Sequence, residues 1–217
     1  MKPPVLSIRN LSVSTRREGN WVTVVNQVSF DVQEGEVLAI VGESGCGKTK
    51  TAEAILGLVP RNDWAVKADA IELDGADLAA LPERGLQEIR GREISMIFQE
   101  PLTALDPVFT AGKQLCSVFR RHRGKTRREA SACSIEMLEQ VGFADPGRIM
   151  KSYPHQLSGG MRQRVMIAMA MACRPRVLIA DEPTTALDVT TQAQVLSRLI
   201  RLGREFGTSL LLITHDL

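Results

Sequence analysis

The order of apolar and polar residues predicts short strands that alternate with helices. Residues 5–9 and 22–32 are Val-rich with partial alternation, which is typical of strands at a sheet edge. Residues 37–41 form a continuous apolar run, which predicts a strand buried on both faces. A Gly-rich turn follows this run, and residues 48–58 then have the pattern of a helix. Another short apolar run occupies residues 94–98.

The second half of the chain begins with a wholly helical pattern, over residues 110–173. Apolar runs then occupy residues 177–180 and 210–213, with a helix predicted between them over residues 190–206. Gly207 is expected to end that helix. Strands that alternate with helices indicate a parallel α/β sheet, and the helical middle indicates a lobe inserted between two halves of that sheet.

The composition of the 217 residues, 44% hydrophobic and 24% charged, predicts one compact domain and excludes a disordered chain. The net charge of +2 is too small to indicate nucleic acid or membrane by itself. The four cysteines are far apart, so we interpret them as free thiols of a cytosolic protein. The longest apolar run, residues 165–173, falls far short of the ~20 residues that a membrane span needs.

The strongest chemical motif lies between the predicted strand at 37–41 and the helix that follows it. It matches G-x-x-x-x-G-K-[ST], in the strand–loop–helix context that a phosphate-binding loop requires. Glycines let backbone N–H groups converge on phosphate oxygens, and the helix N-terminus adds partial positive charge. Lys48 is expected to reach the β- and γ-phosphates, and Thr49 to bind Mg²⁺. The residues of this motif are Gly42, Glu43, Ser44, Gly45, Cys46, Gly47, Lys48 and Thr49.

A pair of acidic residues follows the apolar run at 177–180. Asp181 and Glu182 are therefore expected at the carboxyl edge of the sheet, where α/β folds bind ligands. Beside a phosphate loop, Asp181 would hold Mg²⁺ and Glu182 would polarise a water for attack on the γ-phosphate. Alone, such a pair would more often be a solvated loop.

Four further segments resemble motifs of the ATP-binding cassette (ABC) ATPases. Residues 157–163 (LSGGMRQ) resemble the family's signature, about twenty residues before Asp181. Gln99 resembles the glutamine of the Q-loop, residues 185–188 the D-loop, and His215 the switch histidine. The sequence around these motifs is similar to the dipeptide, oligopeptide and nickel group of bacterial importers.

The resemblance implies a P-loop NTPase core, with a mainly parallel sheet, an N-terminal antiparallel β subdomain and an inserted helical subdomain. We expect the core at residues 1–98 and 174–217, the helical subdomain with the signature at 99–173, and a C-terminal part missing beyond the chain. In this family two cassettes enclose each ATP between the phosphate loop of one and the signature of the other. Ser158, Gly159 and Gly160 would thus bind the partner's ATP. His215 would contact the γ-phosphate, and Gln99 would link Mg²⁺ and the attacking water to the membrane subunits.

The implied function is an ATP-hydrolysing subunit at the cytoplasmic face of the inner membrane. Its implied partners are two transmembrane permease subunits, a second ABC ATPase subunit and, indirectly, an extracytoplasmic solute-binding protein. The cargo would be peptides or nickel, and no nucleic-acid partner is expected. The alternative function is a soluble ABC ATPase acting on DNA or the ribosome, although such relatives usually carry coiled-coil insertions or two cassettes.

Two features leave alternatives open. The family usually stacks adenine on an aromatic residue ahead of the phosphate loop, but residues 12–15 contain none. Trp21 is the nearest candidate, and packing in the core is an equally good interpretation of it. Six Lys or Arg residues within 120–128 could contact nucleic acid or lipid headgroups, yet such a run is more often a solvated connection between helices.

Overall fold

Two sheets with helices around them make up the protein. The structure, a computed structural model, describes residues 2–60, 62–99, 104–184 and 188–215. Within them, no helix has the length and apolarity needed to cross a membrane. The strands are β1 (Leu6–Arg17), β2 (Asn20–Val32), β3 (Val37–Val41), β4 (Trp64–Lys67), β5 (Ala70–Leu73), β6 (Ala76–Asp77), β7 (Ile94–Ile97), β8 (Val177–Asp181) and β9 (Ser209–Thr214). The helices are α1 (Lys48–Ile55), α2 (Glu83–Ile89), α3 (Ala111–Arg123), α4 (Arg127–Gln140), α5 (Pro146–Lys151), α6 (Gly159–Met171) and α7 (Val189–Phe206).

The first sheet is antiparallel and follows the order β2-β1-β5-β6, with β4 paired to β1. The two Val-rich segments predicted as strands belong to β1 and β2, which form a long hairpin. The hairpin turns at Glu18 and Gly19, which both have positive φ. The register between β1 and β4 places Trp64 opposite Thr15. This sheet therefore brings residues near the start of the chain beside residues that follow the phosphate-loop helix.

The second sheet is parallel, in the order β3-β9-β8-β7, which confirms the predicted parallel α/β core. The prediction that residues 37–41 are buried on both faces is wrong. Among the described residues β3 is an edge strand, and Val37 and Val41 are 38% and 46% exposed. An apolar run predicts which residues form a strand, but it does not predict where that strand lies in the sheet. The strand buried throughout is β8.

Strand β8 divides its side chains between two hydrophobic cores. Leu178 and Ala180 belong to the core formed with α3 to α7, including Leu138 and Ile167. Val177 and Ile179 belong to the other core, which is formed by the antiparallel sheet and α1. Successive residues of a strand point to opposite faces, so one strand contributes to both cores.

Specific residues begin and end the helices. Thr126 and Glu129 form a capping box at the start of α4, and Ser158 accepts a hydrogen bond from the Met161 N–H at the start of α6. Gly207, in the left-handed region at φ 68°, ends α7 as predicted. The helix predicted over residues 48–58 ends earlier, because the chain turns at Gly57 with φ 62°.

Candidate functional site

The carboxyl ends of the parallel strands bring the predicted site residues to one edge of the sheet. The phosphate loop follows β3, and Gln99 lies two residues after the end of β7. Asp181 is the last residue of β8, Glu182 follows it, and His215 comes directly after β9. The edge where parallel strands end is where open α/β sheets bind their ligands. The positions predicted from four separate segments therefore converge.

The conformation of the phosphate loop depends on its glycines. Gly45 and Gly47 have φ values of 83° and 98°, in the region that side chains with a Cβ rarely adopt. A Cβ on Gly47 would also lie 2.7 Å from the backbone oxygen of Val24 in β2. The antiparallel sheet therefore packs directly against the start of α1, and this contact leaves no room for a side chain at Gly47.

Lys48 is held inside the loop. Its side chain is buried, and Nζ donates hydrogen bonds to the backbone oxygens of Gly42 at 2.6 Å and Glu43 at 2.9 Å. Ser44, Gly45, Lys48 and Thr49 line a cavity of about 230 Å³. Backbone N–H groups, an ammonium and a helix N-terminus together make a site for phosphate oxygens. Cys46, within the same loop, is an exposed free thiol.

Two of the predicted catalytic residues, Gln99 and His215, each contact the third, Glu182, beside this cavity. The Gln99 Nε2 donates a hydrogen bond of 2.9 Å to the Glu182 Oε2, and the His215 Nδ1 lies 3.3 Å from the Glu182 Oε1. The Glu182 N–H donates to the backbone oxygen of Ile213 in β9, and its φ of 45° is in the left-handed region. Glu182 and Gln99 both line the cavity over the phosphate loop. The arrangement holds a carboxylate in a fixed orientation between an amide and an imidazole.

Asp181 is 1% exposed, and neither of its carboxyl oxygens has a hydrogen-bond partner within the part of the chain that the structure describes. Burial raises the pKa of Asp181; the nearby Thr49 hydroxyl opposes this shift, and the charge of Glu182 adds to it. A buried carboxylate without a partner is costly unless a cation or donor compensates it. Asp181 and the Thr49 hydroxyl are hard oxygen groups, so they fit a Mg²⁺ ion and its bound waters.

The signature residues lie in a different cavity. Ser158, Gly159 and Gly160 at the start of α6 line a space of about 670 Å³ together with residues of α7. The Ser158 Oγ accepts a hydrogen bond from the Met161 N–H at 3.4 Å. Arg164, from the same helix, also lines this cavity and donates to the backbone oxygen of Gly142. The structure thus does not bring the signature together with the phosphate loop of the same chain.

Two predicted segments fall partly outside the described residues. Positions 185–187 of the D-loop segment and positions 100–103 of the stretch after Gln99 lie there. Asp188, the last residue of the D-loop segment, caps α7 by accepting a hydrogen bond from the Thr191 N–H. That hydrogen bond lowers the pKa of Asp188.

Sequence reasoning missed several residues that line the phosphate cavity. Arg17, Val24 and Trp64 come from the antiparallel sheet, and Lys50 comes from α1. Among these residues, Trp64 is the one that the sequence could have singled out, because aromatic residues make up only 4% of the chain. Trp21 is 55% exposed, so its interpretation as a core residue is wrong. Trp21 is not among the residues that line the cavity.

A parallel sheet with a phosphate loop after one strand and two carboxylates at the end of another defines a P-loop nucleotide-binding fold. The family comparison is more specific: residues 25–185 match the model of the ABC transporter family, and the chain belongs to that family.

The curated relatives include transport ATP-binding proteins of bacteria. The chain is 50% identical to the dipeptide transport ATP-binding protein DppD of Bacillus subtilis, over 98% of the chain and 64% of the relative. It is 49% identical to the oligopeptide transport ATP-binding protein OppD of Haemophilus influenzae, over 99% of the chain and 66% of the relative. It is 51% identical to the peptidoglycan transport ATP-binding protein YejF of Agrobacterium fabrum, over 99% of the chain and 39% of the relative. The chain therefore spans less than two thirds of the length of these relatives.

Solved structures agree with this assignment. A dimeric bacterial ABC transporter cassette superimposes with a TM-score of 0.85 at 28% identity, over 97% of this chain and 88% of that one. A dimeric post-hydrolysis state of an ATP-binding cassette, bound to ADP and Pi, superimposes with a TM-score of 0.83 at 29% identity, over the same shares of both chains. The fold is thus that of an ABC ATPase cassette.

Proposed function

We propose that the chain binds and hydrolyses ATP with Mg²⁺ as the energy-coupling part of a bacterial peptide importer. The observation that carries the chemistry is the contact of Glu182 with both Gln99 and His215 at the rim of the phosphate cavity. A carboxylate oriented in this way beside a triphosphate site suits a general base. The relatives are described as ATP-binding proteins of peptide and peptidoglycan transport. Of the two predicted cargoes, peptides and nickel, we therefore propose peptides.

The positions of the site residues support the following roles. The loop amides and Lys48 bind the β- and γ-phosphates, and Glu182 takes a proton from the water that attacks the γ-phosphate. Gln99 and His215 orient the Glu182 carboxylate, and His215 also contacts the γ-phosphate. Asp181 and Thr49 would hold Mg²⁺, with Gln99 as a further oxygen ligand. The ion, when bound, supplies positive charge that stabilises the transferring phosphoryl group.

The second cassette of the functional dimer supplies what one chain lacks. The Ser158, Gly159 and Gly160 group lines its own cavity, apart from the phosphate loop, so each ATP would need a signature from a partner. The related solved cassettes are described as dimeric. In this arrangement, ATP closes the pair of cassettes and hydrolysis lets them separate.

Exposed apolar residues after β7 and around the start of α3 support a docking surface for permease subunits. Phe98, Val108, Phe109 and Tyr153 are all at least 39% exposed. Tyr153 lies next to this group because the Ser152 backbone oxygen accepts a hydrogen bond from the Ala111 N–H at the start of α3. We place the two permeases here, with the helical subdomain of residues 99–173 as their main contact. The protein would then be peripheral at the cytoplasmic face of the inner membrane, and a solute-binding protein outside would deliver the peptide.

The transport proposal is tested by affinity purification of the protein from detergent-solubilised membranes of its source cells, with mass spectrometry of the associated proteins. Two polytopic membrane proteins and a second, similar ATPase are the expected result. Ribosomal proteins or DNA, without a membrane subunit, would contradict the importer and favour a soluble ABC ATPase.

Replacing Lys48 tests nucleotide binding. Lys48→Ala removes a buried ammonium that faces the loop, so the affinity for Mg²⁺–ATP should fall about 10- to 100-fold, in line with loss of charge-assisted hydrogen bonds. Isothermal titration calorimetry measures the affinity. The matched control is Lys125→Ala, at an exposed lysine 3.9 Å from Glu129, which should bind ATP normally. Unchanged ATP affinity in Lys48→Ala would remove this residue from the site.

A further inference from the structure

The cavity over the phosphate loop has a wall that does not belong to the phosphate-binding or catalytic residues. Arg17, Val24 and Trp64 contribute this wall, and all three come from the antiparallel sheet. The register of β1 and β4 places Trp64 opposite Thr15, a small residue whose hydroxyl donates to the Asp63 backbone oxygen. The triphosphate of a nucleotide would contact the phosphate loop on one side of the cavity. It would give no role to Arg17, Val24 and Trp64 on the other side.

Trp64 lines this cavity, packs against the core of the antiparallel sheet, and carries a cation over its ring. The Lys50 Nζ lies 4.7 Å from the centroid of the Trp64 ring, and both residues line the same cavity. The Lys50 Nζ also forms a 2.6 Å ion pair with Glu53. An indole face attracts a cation or stacks on another planar π system, and a purine base is such a system.

We propose that Trp64 stacks on the adenine base of the bound nucleotide, with the Arg17 guanidinium beside it. The inference rests on the proposed binding of ATP and specifies the base-binding half of that site. The base takes the place of the Lys50 ammonium on the ring, while Glu53 retains the ion pair with Lys50. The aromatic surface thus comes from a strand that follows the phosphate loop in the chain, and not from the segment before it.

The experiment compares ATP with inorganic tripolyphosphate, which lacks the base, both with Mg²⁺ and by isothermal titration calorimetry. In Trp64→Ala the affinity for ATP should fall about 10-fold, while the affinity for tripolyphosphate stays at the wild-type value. Trp64→Phe, which keeps a ring, should recover most of the ATP affinity. The matched control is Trp21→Phe, which should bind both ligands as wild type does.

Tryptophan emission supplies a second readout, because the chain contains only Trp21 and Trp64. In Trp21→Phe the emission reports Trp64 alone, and ATP should change it whereas tripolyphosphate should not. In Trp64→Phe the emission of Trp21 should not respond to ATP. The emission measurements use only Trp→Phe substitutions, which keep an aromatic ring. They therefore test the stacking of Trp64 on the base even if Trp64→Ala fails to fold.

The inference is overturned if Trp64→Ala keeps the wild-type ratio of ATP to tripolyphosphate affinity, including an equal loss of both, which would indicate a structural role. It is also overturned if the emission of Trp64 does not respond to ATP. Failure of the proposed function has a different signature: the wild-type chain would bind neither ligand, or Lys48→Ala would bind both as tightly as wild type.

Discussion

Glu182→Gln should abolish ATP turnover while ATP stays bound. The amide keeps the size of the side chain, and its oxygen can still accept one of the two contacts made to Glu182, but it cannot take a proton from water. Loss of a general base lowers rates about 10²- to 10⁴-fold. Phosphate release measures turnover, and size-exclusion chromatography with ATP and Mg²⁺ should show an accumulated dimer, since closure no longer ends in hydrolysis.

The matched control for this variant is Glu205→Gln. Glu205 is an exposed carboxylate near the end of α7, where it is paired with Arg201 at 3.3 Å. The same chemical change there should leave turnover and the monomer–dimer distribution as in wild type. Turnover of Glu182→Gln within a few-fold of wild type would assign the base to another group.

Asp181→Asn should make the chain more stable without Mg²⁺ and remove the stabilisation that Mg²⁺ adds. Both carboxyl oxygens lack a hydrogen-bond partner among the described residues, and burial raises the pKa of Asp181. Removing the buried charge should increase the free energy of unfolding at pH 7 by about 1–3 kcal/mol, because an unsatisfied charged group costs more to bury than an unsatisfied neutral amide. In thermal melts with EDTA, this change in free energy raises the melting temperature by roughly 2–12 °C for a chain of this size.

The pH dependence of this effect has a definite sign. The folded chain holds the Asp181 proton more tightly than the unfolded chain, so ionisation costs stability. Below the ordinary value of 3.8, Asp181 is protonated in both states and the penalty is absent. The penalty grows as the pH rises through the raised pKa, and it is complete above that value. The stability difference between Asp181→Asn and wild type should therefore increase over the same pH range.

Magnesium provides the other half of the Asp181 test. Mg²⁺–ATP should raise the melting temperature of wild type much more than ATP with EDTA does, and this difference should be lost in Asp181→Asn. The control is Asp77→Asn, at an exposed aspartate that accepts a hydrogen bond from the Ala79 N–H, where the stability change should stay within about 0.5 kcal/mol. A variant that is less stable in EDTA, or an unchanged Mg²⁺ effect, would contradict the proposed metal site.

The residues at the ends of the parallel strands could be predicted because local sequence determines them. The phosphate loop needs its glycines and lysine in one continuous stretch, and Asp181 follows an unbroken apolar run. Gln99 and His215 depended on resemblance, since a glutamine or histidine after a short strand has no chemical meaning by itself. Their contact with Glu182 requires the strand order of the folded sheet, which no local pattern contains.

Trp64 could not be placed from the sequence because its position depends on pairing between distant segments. The strands β1 and β4 are separated by the phosphate loop and α1, and only their antiparallel register puts Trp64 opposite Thr15. The wrong prediction that β3 is buried on both faces has a similar cause. An apolar pentapeptide is compatible with a central strand or with an edge strand, and the neighbours of the strand decide between them.

The division of β8 between two cores has a consequence for how this chain tolerates mutation. Strand β8 carries Asp181 and positions Glu182, and both of its faces pack in a core. A change in the packing of either face would therefore affect the catalytic residues. Substitutions that conserve volume at Leu178 or Ile179 should be accepted. An insertion or deletion of one residue would instead reverse which side chains face each core and turn both carboxylates away from the phosphate loop. Natural variation in this strand is therefore expected in side-chain size and not in length.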